Sequence, residues 1–284
     1  MFPKPSRSPW LLATLCVLPL AFCQPAHAYT LGVGDRADAD PHTTAALGAG
    51  VYRVVIDPDL PISSYDARIA AHRAVGQEPQ LVIGGTGTKN HASAAGVVST
   101  AVQAMRRWPY AYSISVINEP NLSGMSACEY ASVYRQTRHA LPGRRVMFGE
   151  FSPPAALRWS AAIATSCPVF VSHFAWHAYD SDPRWSGAIG NTRSLARDLT
   201  RLFHRRPQLY VTEYGVPTRG PNAASEPQAL RAWRNALAVG RRYLRELVAW
   251  DVSETPASSA WDSSLVQTNG RRRPAFNLIA SAAR

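Results

Sequence analysis

Eight short runs rich in Val, Ile, Tyr and Phe recur along this chain, and longer stretches rich in Ala, Arg and Leu separate them. No other feature limits the fold so tightly. Parallel strands need a crossover of a dozen or more residues, usually a helix, between successive strands. The expected strands are 31–34, 51–56, 80–83, 113–117, 145–148, 169–174, 208–212 and 247–252. Helical stretches are expected at 65–75, 92–107, 127–140, 155–164, 192–203 and 228–246, with a weaker one around 42–47 and a closing one over 274–283. Pro274 suits the first turn of that last helix.

Two architectures share this α/β pattern, an open doubly wound sheet and a closed (β/α)8 TIM barrel. The open sheet usually carries a Gly-rich first turn, whereas the first turn here is Gly34-Asp35-Arg36-Ala37. The stretch Gly84-Gly85-Thr86-Gly87-Thr88-Lys89-Asn90 lacks the G-K-[ST] ending of a phosphate loop. It reads as a strand-to-helix turn. Eight units without a nucleotide fingerprint favour a single-domain barrel.

The first 28 residues differ from the rest. Lys4 and Arg7 precede an apolar stretch from Trp10 to Phe22, and Ala26-His27-Ala28 fits a cleavage site. The apolar run is shorter than the roughly 20 residues of a membrane span. The expectation is a secretory signal over 1–28, cleaved after Ala28, and an extracellular domain over 29–284. That domain has a typical barrel length, about 250 residues. It keeps two cysteines, Cys128 and Cys167, which in an exported protein suggest one disulfide. Two separate buried thiols are the other reading.

The formal charge of +11 falls to +9 without Lys4 and Arg7. Arginine pairs are distributed along the chain rather than clustered with aromatics, which argues against a nucleic-acid groove. They read as a solvated surface, with weak attraction to acidic polysaccharide as the other reading. Scattered histidines and two distant cysteines offer no metal-ligand spacing, so no metal or cofactor is expected. A monomer without a membrane span is expected.

In a barrel, chemistry sits on the loops that follow the strands. The fourth run ends in Ile117-Asn118-Glu119-Pro120, the seventh in Thr212-Glu213-Tyr214-Gly215. Each places a glutamate directly after a buried strand, where a charge is costly without a task or a partner. Asn-Glu-Pro alone also reads as a turn that starts a helix. Two such glutamates on strands three positions apart face each other across the barrel mouth. Glycosidic bond cleavage needs that pair, one carboxylic acid to protonate the leaving oxygen and one carboxylate to meet the oxocarbenium-like centre.

These motifs resemble those of the clan A retaining glycoside hydrolases, in particular family 5 cellulase-like and family 39 barrels. The resemblance implies Glu119 as acid/base, Glu213 as nucleophile, and Asn118 as a partner of a sugar hydroxyl. It also implies that Arg53, in the second strand, supports the nucleophile. His177-Ala178-Tyr179 matches the clan's His-x-Tyr, with Tyr179 expected against the nucleophile. Hydrolysis of β-linked glycans by double displacement, with a carbohydrate as the partner, is the implied activity. Transglycosylation at the same site and a non-catalytic carbohydrate- or wall-binding barrel are the alternatives.

Other residues carry weaker expectations. Trp250 and Trp261 each offer a flat platform for a sugar face, or pack a loop. Asn90 and His91 follow the third strand and are candidate substrate contacts. Glu150 ends the fifth strand, where it either lines the cleft or supports another residue. His173 reads as a core histidine. Asn121-Leu122-Ser123 fits a glycosylation sequon, but a glycan there would obstruct Glu119.

Overall fold

The computed structural model of the chain describes residues 29–34, 39–84, 93–152, 155–179, 189–220, 223–254 and 262–283. The signal stretch, Trp261, Asn90, His91 and most of both glycine-bearing turns lie outside the described residues. Among the described residues the strands are β1 Thr30–Gly34, β2 Val51–Ile56, β3 Glu78–Ile83, β4 Ser113–Val116, β5 Val146–Phe151, β6 His173–His177, β7 Gln208–Tyr214 and β8 Leu244–Trp250. They pair in parallel, each with its neighbour in sequence, and β8 closes on β1. The result is the expected (β/α)8 barrel.

The helices are α1 Pro41–Ala46, α2 Asp66–Ala74, α3 Ala94–Arg107, α4 Ala127–Ala140, α5 Ala155–Ser166, α6 Thr192–Phe203, α7 Glu226–Tyr243 and α8 Pro274–Ala282. Several of their starts are written in side chains that satisfy otherwise unpaired backbone N–H groups, as Asp40 does for α1 and Ser93 for α3. Ser126 and Glu129 form a reciprocal capping box on α4, and Ser225 with Gln228 does the same for α7. No described helix is long and apolar enough to cross a membrane. Arg106, Arg107, Arg144, Arg205, Arg206, Arg241 and Arg242 are exposed.

Two element boundaries differ from the sequence reading. The sixth strand lies at His173–His177 rather than 169–174, so His177 ends the strand instead of following it. Helix α7 stops at Tyr243 and β8 begins at Leu244 with no loop between them. The Arg- and Leu-rich composition carried the expected helix on to residue 246, but closure of the barrel takes those residues for β8 pairing with β1 and β7. A disulfide joins Cys128, on the first turn of α4, to Cys167, just after α5.

The main core lies between the barrel and its helices. On β5, Phe148 and Phe151 both face it, in an aromatic group with Tyr130 and Trp159. Met147 belongs to a separate buried group with Ala175 and Tyr210. Strict alternation would put residues 148 and 150 on one face. Between Gly149 and Phe151 the register with β6 shifts. Gly149 has φ +127°, and a Cβ there would lie 1.9 Å from the Ala175 carbonyl oxygen. Only glycine fits this bulge, which turns Glu150 into the barrel and leaves Phe151 outside.

Candidate active site

The barrel mouth carries three carboxylates and two cations. Arg53 rises from β2 and is fully buried. One terminal nitrogen lies 2.9 Å from Glu213, and the other donates to the Asn118 side-chain oxygen at 2.7 Å and to Glu150 at 3.0 Å. Tyr179 donates to the second Glu213 oxygen at 2.8 Å. The His177 Nδ1 lies 3.0 Å from Glu119 and 3.4 Å from Glu213, while Nε2 lies 3.2 Å from Glu150. The structure therefore brings Glu119, Glu213, Arg53, Asn118, His177 and Tyr179 together at one end of the barrel.

The backbone after β4 is bent to make this possible. Ile117 and Glu119 have positive φ, 63° and 48°, a region that L-residues seldom occupy. Backbone bonds pin the bend. Ile117 N–H donates to the Ile83 carbonyl, Asn118 N–H to that of Gly84, and Glu119 N–H to that of Glu150. Strain held this way by neighbouring strands is typical of functional sites.

Trp250 ends β8 almost buried, with the Arg53 guanidinium carbon 5.1 Å from its ring centroid. Its ring covers Gly34 so closely that a Cβ there would meet it at 2.5 Å. Trp250 thus packs against Arg53 and β1. Trp261, Asn90 and His91 lie outside the described residues. His173 starts β6 and contacts the Tyr210 hydroxyl at 3.1 Å. Burial, with Arg145 next in weight, pushes its imidazole down to about 4.

Sequence reasoning left Glu150 undecided. Its carboxylate is fully buried and accepts hydrogen bonds from Ser115, Thr212, Arg53 and His177. Ser115 and Thr212 were not singled out at all. The available signals were Gly149 inside a strand pattern, which marks a bulge, and polar serines alternating with isoleucine and valine along β4.

Electrostatics follow from this packing. Burial alone would drive the Glu150 carboxyl up, but Arg53 and then His177 pull it down to about 2. Burial would depress the His177 imidazole; Glu213, Glu119 and Glu150 outweigh it and hold the ring near 9. Burial raises the Glu119 carboxyl, but the bond to His177 and its charge, with Ser152 and Arg53, together bring it below its ordinary value. Burial and the adjacent Glu213 lift Tyr179 well above the ordinary phenol, so it stays a donor. Both ring nitrogens of His177 face carboxylate oxygens, and only an imidazolium donates from both. Among the described residues no group of His, Cys, Asp and Glu is arranged to hold a metal ion.

No family model matches the sequence, and no curated protein matches it. Solved structures do share the fold. The chain is similar to a monomeric β-xylosidase from Caulobacter crescentus CB15, at 18% identity and a TM-score of 0.69 over 89% of this chain and 67% of that one. It is similar to a GH39 enzyme from Xanthomonas axonopodis pv. citri, at 18% identity and a TM-score of 0.68 over 89% and 65%. An endo-β-1,4-glucanase from the same organism, carrying a triple mutation, matches at 13% identity and a TM-score of 0.63 over 90% and 99%. The chain spans about two thirds of the length of the first two. The fold neighbours thus include barrels of the types that the motifs resemble.

Proposed function

We propose that this barrel is a retaining glycoside hydrolase acting on β-linked glycans, with Glu213 as nucleophile and Glu119 as acid/base. The observation that carries the reading is the convergence of both carboxylates on one atom, His177 Nδ1. Two oxygens at 3.0 and 3.4 Å from a single atom are no further apart than the sum of those distances. The two carboxyls therefore face one shared space, as a two-carboxylate mechanism requires, and the fluoroglycoside test below decides between retention and inversion. The fold neighbours include a β-xylosidase and an endo-β-1,4-glucanase, in keeping with β-linked substrates.

In this reading Arg53 and Tyr179 hold Glu213 aimed at the anomeric carbon. Attack forms a glycosyl-enzyme as Glu119 protonates the leaving oxygen. Glu119 then takes a proton from water, which releases the sugar. A non-catalytic binding barrel would have no reason to keep Arg53 on Glu213, and Arg53 is there. The leader-like residues 1–28 and the Cys128–Cys167 bond both support export to an oxidising compartment.

Trapping tests the mechanism. A panel of 2-deoxy-2-fluoro aryl glycosides slows the second step more than the first, so a retaining enzyme accumulates its adduct. Intact mass is expected to rise by one fluoroglycosyl group, mapped by peptide sequencing to Glu213, and Glu213→Gln is expected to abolish both adduct and turnover. Full turnover in folded Glu213→Gln would remove the proposal.

A further inference from the structure

Glu150 has no place in a two-carboxylate mechanism, yet it is the most completely enclosed charge at the site. Two cations and two hydroxyls converge on it, the bulge at Gly149 exists to point it inward, and its backbone carbonyl holds Glu119. Burial penalises a charged carboxylate, but here every hydrogen-bonding neighbour donates, and together these partners outweigh that cost and keep Glu150 charged. Each of its two ionic partners touches a catalytic carboxylate on its other side. Arg53 reaches Glu213, and His177 reaches Glu119.

We propose that Glu150 is a positioning residue for the glycosidase site, whose buried negative charge keeps His177 doubly protonated and makes the His177–Glu119 pair the store of the catalytic proton. This rests on the glycosidase reading above. With His177 doubly protonated, Glu119 is the unprotonated member of its pair. During glycosylation the Nδ1–H bond breaks and an O–H bond forms on Glu119, which passes that proton to the leaving oxygen as the glycosidic C–O bond breaks. His177 is then neutral and keeps its Nε2–H on Glu150. In the second step water gives its oxygen to the anomeric carbon and its proton to Glu119, which returns it to Nδ1. No other proton donor is needed.

The groups facing His177 are Glu119 after β4, Glu150 on β5, Tyr179 after β6 and Glu213 on β7, with Arg53 from β2 behind Glu150 and Glu213. Of the three carboxylates facing His177, Glu150 is the one to which the mechanism assigns no bond to make or break. Its imidazolium partner is supported by the direction in which the ring titrates.

Two measurements test it. In the first, kcat/KM against pH is compared for wild type, Glu150→Gln and Glu150→Asp on an aryl glycoside. Loss of the charge is expected to move the alkaline limb of Glu150→Gln down by on the order of one pH unit. Glu150→Asp, which keeps the charge, is expected to restore the limb even at lower kcat. A merely structural Glu150 would instead lower activity equally at every pH, and an unmoved limb overturns the proposal. The second needs neither substrate nor a folded variant. In 15N-histidine-labelled wild type, both His177 ring nitrogens are expected to carry protons at pH 7. A neutral ring there overturns the proposal. Failure of the glycosidase reading shows separately, as absence of any glycosyl adduct on Glu213.

Discussion

A terminal nitrogen of Arg53 lies 2.9 Å from Glu213, and its twin lies 3.0 Å from Glu150 on a different strand. One planar fork therefore fixes the distance between the nucleophile and the buried anion. A lysine ammonium is a point charge and cannot serve both at once. Arg53→Lys is expected to lower kcat/KM about 10²-fold, the scale of an ångström's misplacement of a reacting group. Arg53→Met removes the cation that two buried carboxylates share and is expected to cost about 3–5 kcal/mol in denaturant unfolding. An Arg53→Lys enzyme with wild-type kcat/KM would refute this role.

Acid/base assistance at Glu119 predicts a dependence on the leaving group. Glu119→Ala is expected to lose about 10²–10⁴-fold in kcat/KM with unactivated aryl glycosides, the usual worth of general catalysis. With dinitrophenyl glycosides, whose leaving group needs no proton, the loss in the first step should be small. Azide, a nucleophile that needs no general base, should then restore turnover and yield a β-glycosyl azide. An equal loss for all leaving groups would count against the assignment.

The barrel was legible because its pattern is repeated eight times, so an error in one element does not change the whole. The paired glutamates were legible because each follows an apolar strand within a polar motif. Glu150 was not, because its direction depends on one backbone irregularity. Regular strand parity puts Glu150 on the face of Phe148, and the bulge at Gly149 reverses that parity. The 169–174 expectation failed for a related reason. Val169, Phe170 and Val171 look like a buried strand, but Phe170 is exposed and stacks between Arg138 and Arg205, leaving β6 to begin at His173. The packing of Trp250 on Gly34 depended on the pairing of the first and last strands, which only closure of the barrel brings together.

Gly34 gives a packing test of the site. It registers with both Arg53 and Trp250 on the neighbouring strands. Gly34→Ala drives a methyl into the Trp250 ring, and overpacking of this kind costs about 1–3 kcal/mol. Because Trp250 supports Arg53, kcat/KM is expected to fall with stability. Adding Trp250→Phe, a smaller ring, should recover part of the lost stability by thermal unfolding. No recovery would mean that the clash is not with the ring.

The Cys128–Cys167 bridge spans 39 residues of sequence. By chain-entropy reasoning its loss destabilises the fold by about 4 kcal/mol. Cys128→Ser with Cys167→Ser is expected to lower Tm by on the order of 10 °C for a domain of this size. Wild type, produced with export, should show no free thiol when denatured without reductant.

Glu246 makes a prediction of opposite sign to the active-site carboxylates. It lies on β8, fully buried, and accepts a hydrogen bond from Gln80 at 2.8 Å. Burial, reinforced by the charge of Glu150, pushes its carboxyl from 4.5 up to about 8. The folded state thus binds a proton that the unfolded state has released, throughout the window between those values. Stability contributed by this group is full below about pH 4.5 and declines as pH rises toward 8, by on the order of a few kcal/mol. Glu150, held near 2, acts the other way and weakens the fold only as pH falls below about 4.5. Glu246→Gln keeps the acceptor for Gln80 and cannot ionise. Chemical denaturation at pH 5 and at pH 8 should therefore show the variant gaining on wild type as pH rises. A constant difference between the two proteins across that range would mean that Glu246 is already ionised in the fold.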